Sequence, residues 1–293
     1  MADRMTGSIP ASIEVSARHV LDGKLTVTML PLATRVYVTD VGVDPVEDIV
    51  LACRSITDMG YRPVPHVPAR RIESEGALDR RLGALRSQAG VDDILVIAGE
   101  ADRTMGPYEE TMAILESGLV ERHGFADVAV GGHPEGNPAY MGREPMGVLR
   151  AKVARAQAIG RRARIVTQFG FDGPRFVEWA HQVAESGIDA PIHLGVAGPA
   201  KVMTLMKYAA MCGVGNSLNF FKKRTSAIAH LATRHSPEEV VAPIEAAWRA
   251  GEGNIAQIHV FPFGGLGSSS DWLRERGSFP APAQPIGVIA TSA

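Results

Sequence analysis

The chain has 293 residues, 45% of them hydrophobic and 21% charged, with a formal net charge of -2, which excludes the general attraction to polyanions that nucleic-acid binding requires. It is long enough for one α/β barrel, which needs about 250 residues, and apolar enough to bury a core without disulfides or metals. Two cysteines in apolar surroundings, no membrane-length apolar run and no signal peptide predict reduced thiols, no membrane partner and a cytoplasmic location.

Short apolar runs alternate with stretches of helical spacing along most of the chain. The runs predict strands at residues 12–17, 35–39, 62–69, 93–99, 127–134, 163–171, 190–198 and 255–265. Helices are predicted at 45–59, 73–86, 108–121, 174–185 and 201–212, with two further helical stretches at 217–230 and 237–250. Residues 18–33 show no helical pattern.

Alternating strands and helices indicate parallel strands, because a parallel pair needs a crossover of a dozen or more residues. Eight such units predict an α/β fold of the (β/α)8 TIM-barrel class, a single domain with extra helices before the last strand. The barrel is expected to span residues 1–276, followed by an extended or disordered tail at 277–293. An open doubly wound sheet is the alternative, although the chain lacks the G-x-G-x-x-G turn typical of it.

Functional side chains of a barrel project from the carboxyl ends of its strands. Glu14 stands among small and apolar residues of the first strand, where it is either an outward, solvated side chain or an inward acid. Burial near the mouth would keep an inward carboxyl group protonated and able to act as a general acid. Gly99-Glu100 ends the fourth strand, and Gln168 lies on the sixth.

Four histidines on or beside predicted strands raise the question of a metal site: His66, His133, His193 and His259. The sequence contains neither H-x-H nor H-E-x-x-H, so no metal is expected. His193 and His259 are interpreted as packing at strand ends and bonding backbone groups. A sugar-phosphate aldolase or synthase is also disfavoured, because no predicted strand contains a Schiff-base lysine.

Taken in order, these strand ends resemble the methylenetetrahydrofolate reductase family over about residues 12 to 275. That family has S-x-E near its start, a P-H pair, G-D, A-G-Y-P-E-x-H-P, T-Q-F-F-F-D and a final H-F-Y. The corresponding segments here are Ser12-Ile13-Glu14, Pro65-His66, Gly99-Glu100, Gly131-Gly132-His133-Pro134-Glu135-Gly136-Asn137-Pro138, Thr167-Gln168-Phe169-Gly170-Phe171-Asp172 and His259-Val260-Phe261.

The resemblance implies a homo-oligomeric enzyme that binds FAD non-covalently, takes hydride from NADH or NADPH, and reduces 5,10-methylenetetrahydrofolate to 5-methyltetrahydrofolate. It assigns Glu14 as the acid for ring opening, Gln168 as the group that holds the pterin, and Glu100 as the carboxylate that stabilises the cationic iminium. Substrate contacts would come from Glu14, Gln168 and Phe261. The flavin contacts that the resemblance implies are Thr39, His66, Gly99, Glu100, Ala113, His133, Asn137 and Lys152.

The chain departs from the family pattern mainly at flavin and folate-tail positions. The differing residues are Ala98, Met112, His133, Asn137, Phe261 and Gly265. Three interpretations stay open: a divergent FAD enzyme, a flavin-free reductase in which the nicotinamide passes hydride directly to the folate, and a folate-binding protein without reductase activity. FAD is favoured because Thr39, His66 and Lys152 are all present.

Overall fold

Eight parallel strands close into a barrel in the computed structural model, which describes residues 7–100, 103–136, 142–212, 214 and 234–280. Each strand pairs with its neighbours in chain order, and the last strand pairs with the first, where Ala11 is opposite Ile258. The predicted (β/α)8 barrel is therefore confirmed. Its strands are β1 (Ala11–Ser16), β2 (Arg35–Thr39), β3 (Arg62–Pro68), β4 (Asp93–Ile97), β5 (Asp127–Gly132), β6 (Arg162–Gly170), β7 (Ile192–Ala197) and β10 (Ile255–Phe261).

The helices surround this barrel, and a small antiparallel ladder of β8 (Ala200–Lys201) and β9 (Arg234–His235) lies beside it. A short 3-10 turn, Ala69–Arg71, follows β3. The helices are α1 (Ala17–Leu21), α2 (Val46–Asp58), α3 (Glu75–Ala89), α4 (Thr111–Glu116), α5 (Leu119–Arg122), α6 (Pro145–Ala158), α7 (Gly173–Glu185), α8 (Val202–Met211), α9 (Glu238–Ala250) and α10 (Leu266–Glu275).

Three helical segments differ from the sequence-based expectation. Helix α1 has only five residues, too few for a periodic pattern, and the Ser16 hydroxyl caps it by accepting the His19 amide at 3.2 Å. Helix α6 was not predicted, although Pro145 at its start and the Glu144 cap are ordinary start signals. The predicted helix 108–121 is divided into α4 and α5 at Gly118, whose φ of +75° interrupts it.

The two helices before the last strand have different roles. Helix α9, expected as a decoration, packs against α7 and β10 and covers the barrel wall with its buried apolar face. Helix α8 instead contributes Val202, Leu205 and Ala209 to an apolar cluster that includes Phe169 of β6. The other predicted decoration, residues 217–230, lies outside the described residues.

The barrel interior is apolar at mid-height and ionic at its base. Tyr37, Val64, Leu95, Ala129 and Val166 form the apolar layer. Asp93 lies at the base, and its carboxylate is fully buried. It is 2.7 Å from the Arg164 guanidinium and 3.0 Å from Arg35 Nε. Such packing positions the strands whose other ends form the candidate site.

Packing against the barrel continues past the predicted domain boundary at residue 276. Phe279 is buried in the core, and its amide donates to the Leu273 carbonyl at 2.9 Å. Residues 281–293 lie outside the described part of the chain. Within the described ranges, no helix has both the length and the apolar character needed to cross a membrane.

Candidate functional site at the barrel mouth

Glu14 faces the inside of the barrel. Its neighbours Ile13 and Val15 pack outward into the core beneath the helices, so alternation along β1 turns Glu14 inward. Its Oε2 atom lies 3.2 Å from Nε2 of His259 on β10, and the side chain keeps 15% of its exposure. The inward orientation expected for an acid is confirmed, and its catalytic role stays a prediction.

The interpretation of His259 and His193 as histidines that bond backbone groups is wrong. His259 bonds two side chains, because its Nδ1 atom is 3.0 Å from the Ser12 hydroxyl and its Nε2 atom faces Glu14. His193 Nδ1 is 3.5 Å from the Tyr37 hydroxyl. Burial, followed by the nearby Arg164 charge, lowers the pKa of His193 well below its usual range. Ser12 and Tyr37 are polar partners that sequence reasoning missed.

His66 lies on β3 beside this pair and is buried. Burial lowers its pKa, while the Glu14 charge acts in the opposite direction. Its Nε2 atom is buried and has no hydrogen-bond partner among the described residues. A neutral imidazole with an unused nitrogen is a group that could contact a bound cofactor.

A buried ion pair lies next to the backbone of His66. The Arg81 guanidinium on α3 donates to the His66 carbonyl at 2.8 Å and lies 2.7 Å from the carboxylate of Asp40, which follows β2. Asp40 in turn accepts the Gly42 amide at 2.9 Å. Arg81 therefore joins the carboxyl ends of β2 and β3, and nothing in its sequence context indicated this.

The turn after β4 places Glu100 on the rim. Gly99 has a φ of +81°, and an added Cβ would lie 2.7 Å from the Pro68 side chain, so the turn requires glycine. The Glu100 side chain is exposed, and the backbone carbonyl of Glu100 accepts a hydrogen bond from Arg71 at 2.8 Å.

Burial raises the pKa of Cys212 to about 11, and the charges of Glu100 and Glu14 raise it further.

Gln168 lies at an irregularity between β6 and β7, where the pairing shifts between Val166 and Phe169. The Thr167 hydroxyl accepts the Gly195 amide at 2.8 Å, and Gln168 Oε1 accepts the Phe169 amide at 3.1 Å. An added Cβ on Gly195 would meet the Gln168 carbonyl oxygen at 2.7 Å. The irregularity presents a half-buried amide side chain at the strand end.

Aromatic rings gather at the same end of the barrel. The Phe261 ring centroid is 4.9 Å from that of His259 and 5.2 Å from that of Phe169. Phe263 packs at 4.7 Å against Phe169 and stacks on Tyr208 of α8 at 4.2 Å. Because Phe261 contacts His259, this aromatic cluster lies beside the histidine that bonds Glu14.

The remaining predicted contacts are placed less uniformly. Lys152 on α6 is buried and donates to the Gly131 carbonyl at 2.6 Å; burial lowers its pKa to about 8. Burial, and then the charge of Lys152, lowers the pKa of His133 to about 4.

Thr39 is half-buried at the end of β2, whereas Ala113 packs against the outer core. Asn137 lies outside the described residues. No cluster of three or more His, Cys, Asp or Glu side chains suited to a metal occurs in the described ranges.

The fold and site define a (β/α)8 barrel with an acid–histidine pair and an aromatic surface at its mouth. No protein-family model matches the chain. It is similar to an uncharacterized protein from Clostridium thermocellum, with 9% identity, a TM-score of 0.55, and coverage of 92% of this chain and 96% of the other. That protein is described as binding two copies of 5-methyl-5,6,7,8-tetrahydrofolic acid.

A weaker likeness is to the copper homeostasis protein CutC from Streptococcus agalactiae. It has 11% identity and a TM-score of 0.46, over 87% of this chain and 99% of the other. At 9% identity, the likeness to the Clostridium thermocellum protein shows a shared fold and nothing finer.

Proposed function

We propose that the protein reduces 5,10-methylenetetrahydrofolate to 5-methyltetrahydrofolate with hydride from NADH or NADPH. The observation that carries this proposal is the Glu14 carboxyl group, which faces the barrel mouth and is held by His259 at 3.2 Å. The fold neighbour from Clostridium thermocellum supports it, because the ligand named for that protein is the product of this reaction.

The chemistry requires one proton and one hydride. Glu14 donates a proton to the nitrogen that leaves when the five-membered ring opens, and the methylene carbon becomes an iminium cation. A hydride supplied by the nicotinamide, through FAD or directly, adds to that carbon and gives the N5-methyl group, so the nicotinamide is oxidised and the folate reduced. The overall reaction consumes one proton, which Glu14 must recover from solvent before the next turnover.

The pterin would lie between the aromatic rings and Gln168. The half-buried amide of Gln168 offers both a donor and an acceptor to the edge of the heterocycle, and Phe261 offers its ring. Glu100, exposed on the opposite rim, would bring a negative charge toward the iminium cation.

FAD is the preferred cofactor, and two described residues at neighbouring strand ends fit it. Half-buried Thr39 and the unused Nε2 atom of His66 offer polar contacts to a ring. When bound, FAD would accept hydride from the nicotinamide and pass it to the folate. His66 and Thr39 would orient the ring.

Direct hydride transfer without flavin is a second candidate that specific observations favour. Two expected flavin contacts are otherwise engaged: Lys152 bonds the Gly131 carbonyl, and Ala113 packs in the outer core. Steady-state kinetics at several folate concentrations separate the two routes. Parallel double-reciprocal lines with a visible flavin band support FAD, and intersecting lines from a colourless active protein support direct transfer.

The proposal is tested by incubating the purified protein with 5,10-methylenetetrahydrofolate and NADH or NADPH, with and without added FAD. We expect folate-dependent nicotinamide oxidation and formation of 5-methyltetrahydrofolate, detected by mass spectrometry. Binding of 5-methyltetrahydrofolate without turnover under all four conditions would overturn the reductase proposal in favour of a folate-binding protein. Absence of both binding and turnover would overturn folate recognition as well.

A further inference from the structure

Glu14 is held through one of its two carboxyl oxygens. His259 Nε2 contacts Oε2 at 3.2 Å, and Oε1 has no hydrogen-bond partner among the described residues. The His259 side chain is almost fully buried, whereas Glu14 retains 15% of its exposure. Oε1 is therefore the oxygen left for a ligand.

Ser12 contacts the other ring nitrogen of His259. Its hydroxyl is fully buried on β1, two residues before Glu14, and lies 3.0 Å from His259 Nδ1. The Tyr37 ring, 4.4 Å from the imidazole centroid, packs against the same histidine. Both ring nitrogens of His259 thus have a side-chain partner, and a neutral imidazole in this place has two possible positions for its single proton.

These arrangements have opposite consequences for the acid. With the proton on Nε2, His259 donates to Oε2, the Ser12 hydroxyl donates to Nδ1, and the proton of Glu14 resides on Oε1. With the proton on Nδ1, His259 donates to Ser12, and Nε2 must accept a proton carried by Oε2. Only the first arrangement presents the acidic proton to a ligand at the mouth.

We infer that His259, oriented by Ser12, is a positioning residue that carries its proton on Nε2 and directs the proton of Glu14 to Oε1. This inference rests on the proposed function of Glu14 as the ring-opening acid. The same Nε2–H bond stabilises the carboxylate that remains after proton transfer, so no tautomer change is needed during turnover. His259 contacts the acid and not the folate.

The tautomer of His259 is measured by nitrogen NMR of the full chain labelled with 15N-histidine at neutral pH. The His259 signals are identified by their loss in His259→Gln. We expect a protonated Nε2 and an unprotonated Nδ1, and a protonated Nδ1 in the wild-type protein would overturn the inference. The measurement needs neither folate nor nicotinamide, so its result does not depend on whether the reductase proposal succeeds.

Kinetics of two substitutions test the positioning role. His259→Phe removes the donor and should lower kcat roughly 10- to 100-fold with little change in folate KM. His259→Gln keeps an amide N–H donor and should retain more kcat than His259→Phe. His181→Gln is the matched control, because His181 forms the same kind of bond, 3.1 Å to Glu252, on the outer helices.

Three results would contradict the inference: wild-type kcat in His259→Phe, equal losses in the Phe and Gln variants, or a loss confined to KM. If the wild-type protein has no turnover, the proposed function fails while the tautomer result stands by itself. Circular dichroism of both variants checks that the barrel is intact, and the NMR result decides the matter if the Phe variant does not fold.

Discussion

Arg81 and Asp40 form an ion pair at 2.7 Å in which both side chains are buried, directly behind the candidate site. The Arg81 guanidinium also bonds the His66 carbonyl, so one side chain joins two strand ends. Removing one partner of a buried pair leaves an uncompensated charge, which costs more than the pair contributes when it is intact.

We predict that Arg81→Leu lowers the free energy of unfolding by about 3–5 kcal/mol in urea denaturation. The double substitution Arg81→Leu with Asp40→Leu should be less destabilising than Arg81→Leu alone, because it leaves no buried charge. Arg54→Leu, which breaks an exposed ion pair with Asp58, should leave the midpoint of urea denaturation nearly unchanged. A double variant that is less stable than the single one would contradict this account.

Gly195→Ala should destabilise the barrel and disturb Gln168. Its Cβ would lie 2.6 Å from the Thr167 carbonyl oxygen and 2.7 Å from that of Gln168. These are backbone atoms, so relieving the clash requires β6 and β7 to separate at a cost in stability. We expect a loss of about 1–3 kcal/mol in the free energy of unfolding. Gly267→Ala on α10 meets no atom within 4 Å and should be neutral or stabilising. Equal effects of the two substitutions would refute the close approach of β6 and β7.

Acid should destabilise the protein through histidines whose pKa values are lowered on folding. The pKa of His133 falls from 6.5 to about 4 on folding because of burial and then Lys152, and burial also lowers the pKa values of His66 and His193. The unfolded chain binds these protons first, so their stabilising contribution is complete above about pH 6.5 and is lost as the pH falls toward 4.

Urea denaturation at pH 7 and pH 4.5 measures this loss. In His133→Gln the decrease in unfolding free energy between the two pH values should be about 2 kcal/mol smaller than in the wild type. His181→Gln, at a half-buried histidine on α7, serves as the control and should show the wild-type decrease. An unchanged pH dependence in His133→Gln would show that folding does not lower the pKa of His133.

Gln168→Ala should raise the folate KM by roughly 5- to 100-fold, which corresponds to about 1–3 kcal/mol for one or two lost hydrogen bonds. The barrel should remain folded, because within the described residues Gln168 bonds only the adjacent Phe169 amide. Gln157→Ala, an exposed glutamine on α6, is the control. A collapse of the melting temperature with an unchanged KM would assign Gln168 a structural role instead.

Much of the fold was predictable because its strands are apolar runs separated by helical spacing. Strand ends were overestimated where glycines extend the run, as at Gly264 and Gly265 after β10, since the backbone there already turns toward α10. Helix α1 was missed because five residues carry no periodicity. The covering role of α9 depends on packing between distant elements, which local pattern does not encode.

The candidate site was predictable only where one residue type carries the chemistry. A glutamate is unusual in a barrel strand, so the sequence alone marked Glu14 as a candidate acid. Its partner His259 and the Ser12 hydroxyl that contacts His259 are 247 residues apart and meet only because β1 closes on β10. Arg81 was not recognised because a helical arginine ordinarily faces solvent, whereas this one is buried beneath the site.

The most direct test of the central claim is the turnover of Glu14→Gln compared with its binding of 5-methyltetrahydrofolate. The amide keeps the shape of the side chain but cannot donate the ring-opening proton, so kcat should fall about 100-fold or more. Calorimetric affinity for the product should stay close to that of the wild type. Wild-type turnover in Glu14→Gln would contradict the assignment of Glu14 as the acid.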